Sequence, residues 1–102
     1  MDHEEFPRIK LMLRKDKGQS GQLRGEGNKK YGAGDSEAAL ALYTRAVLTA
    51  PPSQPELSLA LANRSAALQS LGNYRAAVQD IELALSSGYP QVSIPPLIPL
   101  IL

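Results

Sequence analysis

The sequence predicts an all-α fold of two antiparallel helical hairpins, and three observations lead to this prediction. Two segments of the chain align with each other at an offset of 38 residues. Each segment contains a glycine followed by Asp or Asn, a pair typical of one helix ending and the next beginning. Apolar residues recur at three- and four-residue steps around these pairs. The pattern therefore predicts four helices joined within each hairpin by a tight turn.

The internal repeat extends over both helices of each hairpin. Residues 27–31 align with residues 65–69, and the match continues to Tyr43 over Ile81. A fixed period of this length is the signature of a helical repeat architecture. Repetition explains the match better than chance.

Helix boundaries follow from local signals. Asp35 and Asn73 are placed to accept hydrogen bonds from backbone N–H groups of the helix that follows. Ser53 and Glu56 fit a capping box that has a proline in the first turn of the third helix. The predicted helices lie near residues 20–33, 36–49, 56–71 and 74–87.

Small residues are expected to let the helices approach closely. These residues are Ala38, Ala39, Ala46, Ala66, Ala67, Ala77 and Ala84. The apolar face of the last helix is formed by Tyr74, Ala77, Val78, Ile81, Ala84 and Leu85. The polar residues Arg75, Gln79, Asp80 and Glu82 are expected on its other faces. The aromatic side chains, Tyr43 and Tyr74 included, are expected in the core.

Composition excludes several kinds of chemistry. The chain has 102 residues, no cysteine and one histidine, His3. Disulfides, cysteine nucleophiles and thiolate zinc sites are therefore not expected, and a histidine triad or metal site lacks partners. We expect one small domain without catalytic residues, cofactor or metal.

Charge is distributed unevenly. Residues 8–30 carry eight Lys or Arg against Asp16 and Glu26, a local charge of +6 in a chain of net charge +1. Such a stretch indicates an acidic partner or, more often, a solvated arm. Nucleic-acid binding is a weaker alternative, because no aromatic residue interrupts the basic run before Tyr31.

The two ends are less regular than the middle. We divide the chain into a basic arm that includes a short helix or none (1–19), a first repeat (20–52), a second repeat (53–90) and an irregular apolar tail (91–102). Three prolines in the tail disfavour a helix, and twelve residues are too few to span a bilayer. The acidic first residues do not resemble a signal peptide, so an intracellular protein is expected.

The repeats resemble the tetratricopeptide repeat. The matching residues are Gly27, Ala39, Tyr43, Ala46 and Pro51 in the first repeat, and Ser65, Ala77, Ile81 and Ala84 in the second, where Pro90 follows one place late. Ser36, where an aromatic residue is usual, and a longer linker at 51–57 depart from that pattern. The resemblance implies hairpins of a right-handed superhelix whose first helices line a peptide-binding groove.

A narrower resemblance, over residues 22–90, is to the repeat region that precedes the SET domain in some SET- and MYND-domain lysine methyltransferases. It rests on residues 24–31, 39–43, 62–68 and 88–90 and on the long linker. It implies a non-catalytic front end in the cytoplasm or the nucleus. The apolar tail stands where another repeat is expected, which suggests a truncated or alternatively spliced product.

The candidate peptide-binding residues are Arg24, Asn28, Tyr31 and Asn63. The first three share one helix face by their spacing, and Asn63 takes the matching place in the second repeat. They resemble half of the clamp with which chaperone-binding repeats hold a C-terminal Glu-Glu-Val-Asp peptide. The implied partner is the acidic C-terminus of an Hsp90- or Hsp70-type chaperone, and the clamp's other half, two basic residues on a third groove helix, is missing.

Two other interpretations remain open at this point. The asparagines are also frequent in repeats that bind no chaperone, because they hydrogen-bond backbone at helix crossings, and Arg24 is equally a solvated side chain. Two repeats alone also fit a structural spacer or a fragment with no binding of its own, since about three repeats are usual for stability.

Overall fold

Four helices in two hairpins make up the described part of the chain. The computed structural model describes residues 15–52 and 55–88. Its helices are α1 (Lys17–Gly32), α2 (Ser36–Thr49), α3 (Pro55–Ser70) and α4 (Tyr74–Ser86), and these residues contain no strand. Helix α1 packs on α2, and α3 packs on α4. The predicted all-α class and helical hairpins are confirmed.

The predicted helix ends agree with the structure except at the start of α1. This helix begins at Lys17, three residues earlier than predicted, and it continues through Gly18. The cause is Asp16, whose carboxylate accepts a hydrogen bond from the Gln19 N–H at 3.1 Å and thereby caps the helix. The capping box predicted from Ser53 lies partly outside the described residues, as do the predictions for residues 1–14 and 91–102.

Contacts with the end of α2 hold the start of α1 in place. The Asp16 N–H donates to the Thr49 carbonyl at 2.7 Å, and the buried Ser20 hydroxyl donates to the Ala46 carbonyl at 2.8 Å. The Lys15 ammonium donates to the Leu48 carbonyl at 2.8 Å. Carbonyls in the last turn of a helix lack partners within the helix and favour cations, so these contacts also terminate α2.

The two turns repeat the same hydrogen bonds 38 residues apart. The Asp35 N–H donates to the Lys30 carbonyl, and the Asn73 N–H donates to the Leu68 carbonyl in the same way. Between each pair lies a glycine with positive φ, 85° at Gly34 and 81° at Gly72. Glycine adopts this conformation without steric cost, so both turns close tightly.

Asp35 and Asn73 both cap the helix that follows, as predicted. Their side chains accept from the Ala38 N–H at 3.0 Å and from the Ala76 N–H at 3.3 Å. The internal repeat seen in the sequence is therefore a repeat of backbone hydrogen bonds as well.

Alanines let the helices pack closely, and they join the two hairpins. Helix α3 contacts both α2 and α1. Alanines with no exposed surface are Ala39, Ala46, Ala50, Ala60, Ala62, Ala67 and Ala77. Ala60 packs with Leu23 and Ala46 of the first hairpin, and Ala67 packs with Tyr43. Ala38 and Ala66, which were also expected at contacts, are only half-buried.

Two predictions about α4 are wrong. Tyr74 was expected in the core but is 59% exposed, because it is the first residue of α4 and its side chain leans toward the turn, beyond the packed part of the hairpin. Asp80 was expected on a polar face but is only 4% exposed. It is buried because Arg64 of α3 pairs with its carboxylate.

None of the helices described here is long and apolar enough to cross a membrane.

Candidate functional site

The predicted site residues gather where the first helices of the two hairpins meet. Arg24, Asn28 and Tyr31 lie on α1, and Asn63 lies on α3. The Asn63 side-chain amide donates to the Asn28 side-chain oxygen, and the Nδ2 to Oδ1 distance is 2.7 Å. This hydrogen bond spans 35 residues of sequence and connects the two hairpins.

Tyr43 of α2 is the centre of this cluster. Its side chain is 2% exposed, as expected for a core residue, and its hydroxyl donates to the Asn28 Oδ1 at 2.6 Å. The ring lies against Gly27, where a Cβ atom would stand only 2.5 Å from the Tyr43 Cε1. Glycine at position 27 therefore lets the tyrosine pass between the helices and reach the asparagine.

The side-chain oxygen of Asn28 accepts two hydrogen bonds, one from Tyr43 and one from Asn63. A carbonyl oxygen has two lone pairs, and here the Tyr43 hydroxyl and the Asn63 amide occupy both. Asn28 itself is exposed, and its Nδ2 forms no hydrogen bond within residues 15–52 and 55–88. The asparagine therefore presents N–H donors to solvent.

The Tyr43 hydroxyl is protonated at neutral pH, and burial makes its ionisation harder still. Burial is the main cause that raises the pKa of Tyr43 above its ordinary 10.0, and the neighbouring Tyr31 raises it further. The positive charge of Arg24 and the nearby side chain of Asn63 lower this pKa by smaller amounts. At neutral pH the phenol is thus neutral and able to donate its proton to Asn28.

Arg24 contributes a polar atom that lacks a partner. Its Nε is buried and makes no hydrogen bond among the described residues. Buried donors of this kind are almost always paired in folded proteins, so the Arg24 Nε is one of a few exceptions in the described part of the chain, together with side-chain oxygens of Glu56 and Gln69. Arg24 stands one helical turn before Asn28 and close enough to Tyr43 to affect its pKa.

Tyr31 plays a packing role in the same place. It is half-buried against the apolar cluster that contains Ala39, Tyr43 and Ala67. Its ring therefore forms one wall beside the polar residues, whereas the hydrogen-bond donors come from Arg24 and Asn28.

The sequence reasoning missed the contribution of Tyr43, which it assigned to the core alone. The repeat alignment contains one signal, because the second repeat has Ile81 at the position of Tyr43 and Ala66 at the position of Asn28. Asn63 aligns with Gly25, so it meets Asn28 across the two helices without standing at the equivalent position of the repeat. A hydroxyl and an amide thus occur together in the first repeat and are both absent from the second. This joint difference indicates that the two groups interact.

A second polar contact, also missed, lies inside the second hairpin. The Arg64 guanidinium donates two hydrogen bonds to the Asp80 carboxylate, at 2.7 Å and 2.8 Å. Hydrogen bonding to Asp80 is the main cause that raises the pKa of Arg64. The positions are equidistant from Gly72, so an antiparallel hairpin places them opposite each other. This pair joins α3 to α4.

Comparison with known proteins finds similar sequences in one group. A SMYD4 protein of Gallus gallus is 43% identical over 72 residues, which are 71% of this chain and 10% of that protein. The SMYD4 protein of Homo sapiens is 44% identical over 68 residues, or 67% of this chain and 8% of that protein. The SMYD4 protein of Danio rerio is 38% identical over 81 residues, or 79% of this chain and 11% of that protein.

These homologues are protein-lysine N-methyltransferases. The similarity to SMYD4 agrees with the predicted resemblance to SET and MYND proteins. The chain spans about a tenth of the length of the SMYD4 relatives it matches. No family model matches the chain, and no solved structure matches it.

Proposed function

We propose that this chain is a non-catalytic, tetratricopeptide-type module that binds a peptide, and that it corresponds to the front end of a SET and MYND protein-lysine methyltransferase. One observation carries the proposal: the hydrogen bond between Asn28 and Asn63 joins the first helices of both hairpins beside Arg24. In the proposed superhelix, these helices line the concave groove. The three polar side chains would then face the bound peptide.

The chemistry of the cluster favours an acceptor-rich ligand. Arg24 is partly exposed and carries a positive charge with several N–H donors, and Asn28 offers its Nδ2 protons. Carboxylate and carbonyl oxygens accept such protons, and charge strengthens the bond to a guanidinium. A C-terminal carboxylate or an acidic side chain is the group that suits these donors.

The absence of catalysis in this chain is part of the proposal. The similarity covers about a tenth of the SMYD4 methyltransferases, and the chain has no cysteine with which to build the zinc sites of a MYND module. Methyl transfer would therefore belong to other parts of such a protein. The cytoplasm and the nucleus are the compartments proposed for it.

The proposed partner is a peptide with an acidic C-terminus, such as the Glu-Glu-Val-Asp end of an Hsp90- or Hsp70-type chaperone. Arg24 is the one basic side chain assigned to the site, so its grip on a peptide with several carboxylates would be weak. Weak binding agrees with a half-clamp that another part of the protein completes.

Calorimetric titration tests this function. The 102-residue chain is titrated with a peptide ending in Glu-Glu-Val-Asp and with the same peptide amidated at its C-terminus. We expect binding of the free acid only, and a loss of about tenfold in Arg24→Ala because one charge-assisted hydrogen bond is removed. Arg75→Ala is the control, since Arg75 is an exposed residue of α4 outside the cluster.

Two outcomes would contradict the proposal. A helical wild-type chain that binds neither peptide would favour the structural spacer. Equal losses in Arg24→Ala and Arg75→Ala would indicate attraction by overall charge rather than a site at Arg24.

A further inference from the structure

From the hydrogen bonds at Asn28 we infer that Tyr43 is a positioning residue, which orients the Asn28 amide so that it presents donors, and not its oxygen, to a hydrogen-bond acceptor of the bound peptide. This inference rests on the proposed function and adds a specificity determinant to it. It concerns a residue that cannot itself reach a peptide, because Tyr43 is 2% exposed.

The first step of the argument is the ambiguity of an asparagine side chain. An amide has an acceptor end and a donor end of nearly equal size, and rotation by half a turn exchanges them. An exposed asparagine such as Asn28 would ordinarily present either end to a ligand. A site that contains such a residue discriminates poorly between acceptors and donors.

The second step is that two protein donors select one orientation. The Tyr43 hydroxyl at 2.6 Å and the Asn63 amide at 2.7 Å both point to the Asn28 Oδ1. Rotating the Asn28 amide alone would bring its NH₂ group against the NH₂ group of Asn63, and two donors cannot bond to each other. The same rotation would take away the acceptor that the buried Tyr43 hydroxyl proton has among the described residues. The oxygen therefore faces the protein, and the N–H donors remain for the ligand.

The third step is that Tyr43 is held more firmly than the asparagines. Its ring is packed between Gly27 and the cluster of Ala39 and Ala67, whereas Asn28 is exposed and Asn63 is half-buried. A buried aromatic ring has few accessible rotamers, so its hydroxyl has a nearly fixed position. The rigid partner sets the orientation of the mobile one.

The repeat provides an internal comparison. Ile81 occupies the position of Tyr43 in the second hairpin, and it is as fully buried as the tyrosine. Apolar packing at this position thus does not need a hydroxyl. The hydroxyl occurs in the hairpin whose first helix carries an asparagine at position 28, where the second repeat has Ala66.

A double-mutant cycle tests the inference with the free-acid peptide described above as the probe. The four proteins are the wild type, Tyr43→Phe, Asn28→Ala and the double variant, each of 102 residues. We expect Tyr43→Phe to weaken binding about fivefold in the wild-type background, the effect of one hydrogen bond, and by less than about twofold when Asn28 is already alanine. The exposed Tyr74→Phe, outside the cluster, is the control for loss of a phenol.

A second variant tests the orientation of the amide. Asn28→Asp replaces the N–H donors by acceptors, so it should bind the peptide no better than Asn28→Ala. Retained binding by Asn28→Asp would show that the oxygen of residue 28 faces the ligand and would overturn the inference.

The remaining outcomes separate this inference from the proposed function. Equal losses on Tyr43→Phe in both backgrounds overturn the inference alone, since Tyr43 would then act through stability or through another residue. A wild-type chain that does not bind overturns the proposed function, and the inference with it. Thermal unfolding followed by circular dichroism checks that Tyr43→Phe, which keeps the packed ring, remains folded.

Discussion

Gly27 and Tyr43 form a close contact between α1 and α2. A side chain at position 27 would bring its Cβ within 2.5 Å and 2.6 Å of two ring atoms of Tyr43. Distances this short are not tolerated, and the ring is buried on its other sides, so the helices would have to separate. The requirement for glycine at this position is therefore one of space and not of backbone conformation.

Replacing this glycine should destabilise the protein. Gly27→Ala is expected to lower the free energy of unfolding by about 1–3 kcal/mol, the usual cost of overpacking a core. Gly25→Ala in the same helix should raise it by about 0.5–1 kcal/mol, because alanine is the better helix former and meets no atom within 4 Å. Urea unfolding followed by circular dichroism measures both. Equal effects of the two substitutions would refute the close contact.

Tyrosines in the two hairpins differ in how deeply they are buried. Tyr43 and Tyr74 both looked like core aromatics in the sequence, yet Tyr43 is buried and Tyr74 is exposed. Helical periodicity identifies a face, but it does not tell how far along the helix the neighbouring helix covers that face. Tyr74 is exposed because it is the first residue of α4.

At the scale of elements, Arg64 and Asp80 hold α3 against α4. The side chain of Asp80 is 5% exposed and that of Arg64 is 23% exposed. A buried carboxylate loses its hydration, and the two hydrogen bonds from the guanidinium offset that loss. The first hairpin has Glu26 and Leu42 at these positions. A hairpin of this kind therefore does not need an ion pair between these two positions of its helices.

The cost of breaking the pair should depend on what replaces it. Asp80→Leu alone should lower the free energy of unfolding by about 2–3 kcal/mol, because the partly buried guanidinium of Arg64 is left without a partner. Arg64→Met together with Asp80→Leu should cost less than the single substitution, since no charge remains uncompensated. Urea unfolding of the three proteins is the measurement. A double variant with a lower free energy of unfolding than Asp80→Leu would contradict this prediction, because removing the unpaired charge of Arg64 would then have brought no gain in stability.

At the scale of the whole molecule, the site exists only because the two hairpins stack. Ala60 and Ala67 of α3 have no exposed surface and pack against the first hairpin, with Ala67 touching the cluster of Tyr43. Their small side chains allow the approach that lets Asn63 reach Asn28 at 2.7 Å. Stacking and the polar network thus depend on the same interface.

Enlarging a residue of this interface should affect stability and binding together. Ala67→Leu is expected to lower the free energy of unfolding by about 1–3 kcal/mol and to abolish peptide binding, because it moves α3 away from α1. Ala66→Leu, one residue earlier on a half-buried position, should change stability by less than about 0.5 kcal/mol. Urea unfolding and calorimetry of both variants are the measurements. Full binding by a folded Ala67→Leu would show that the site does not need the stacked arrangement.

The sequence by itself determined the local parts of this protein. Glycine in the turns, the caps at Asp35 and Asn73, and the helical periodicity predicted four helices with nearly correct ends. These features act within a few residues of each other, so their effect is visible in the sequence. The start of α1 at Asp16 is also a local cap, but the backbone N–H of this residue is held in place by the Thr49 carbonyl of the neighbouring helix, a contact that the sequence does not reveal.

Only the tertiary structure decided which side chains meet across helices. The burial of Asp80, the exposure of Tyr74 and the three-residue network of Tyr43, Asn28 and Asn63 all depend on distances between helices. Such distances follow from the size of the residues packed in between, here Gly27 and Ala67. A periodic pattern predicts the faces of a helix, whereas packing determines which atoms of neighbouring faces come within hydrogen-bonding distance.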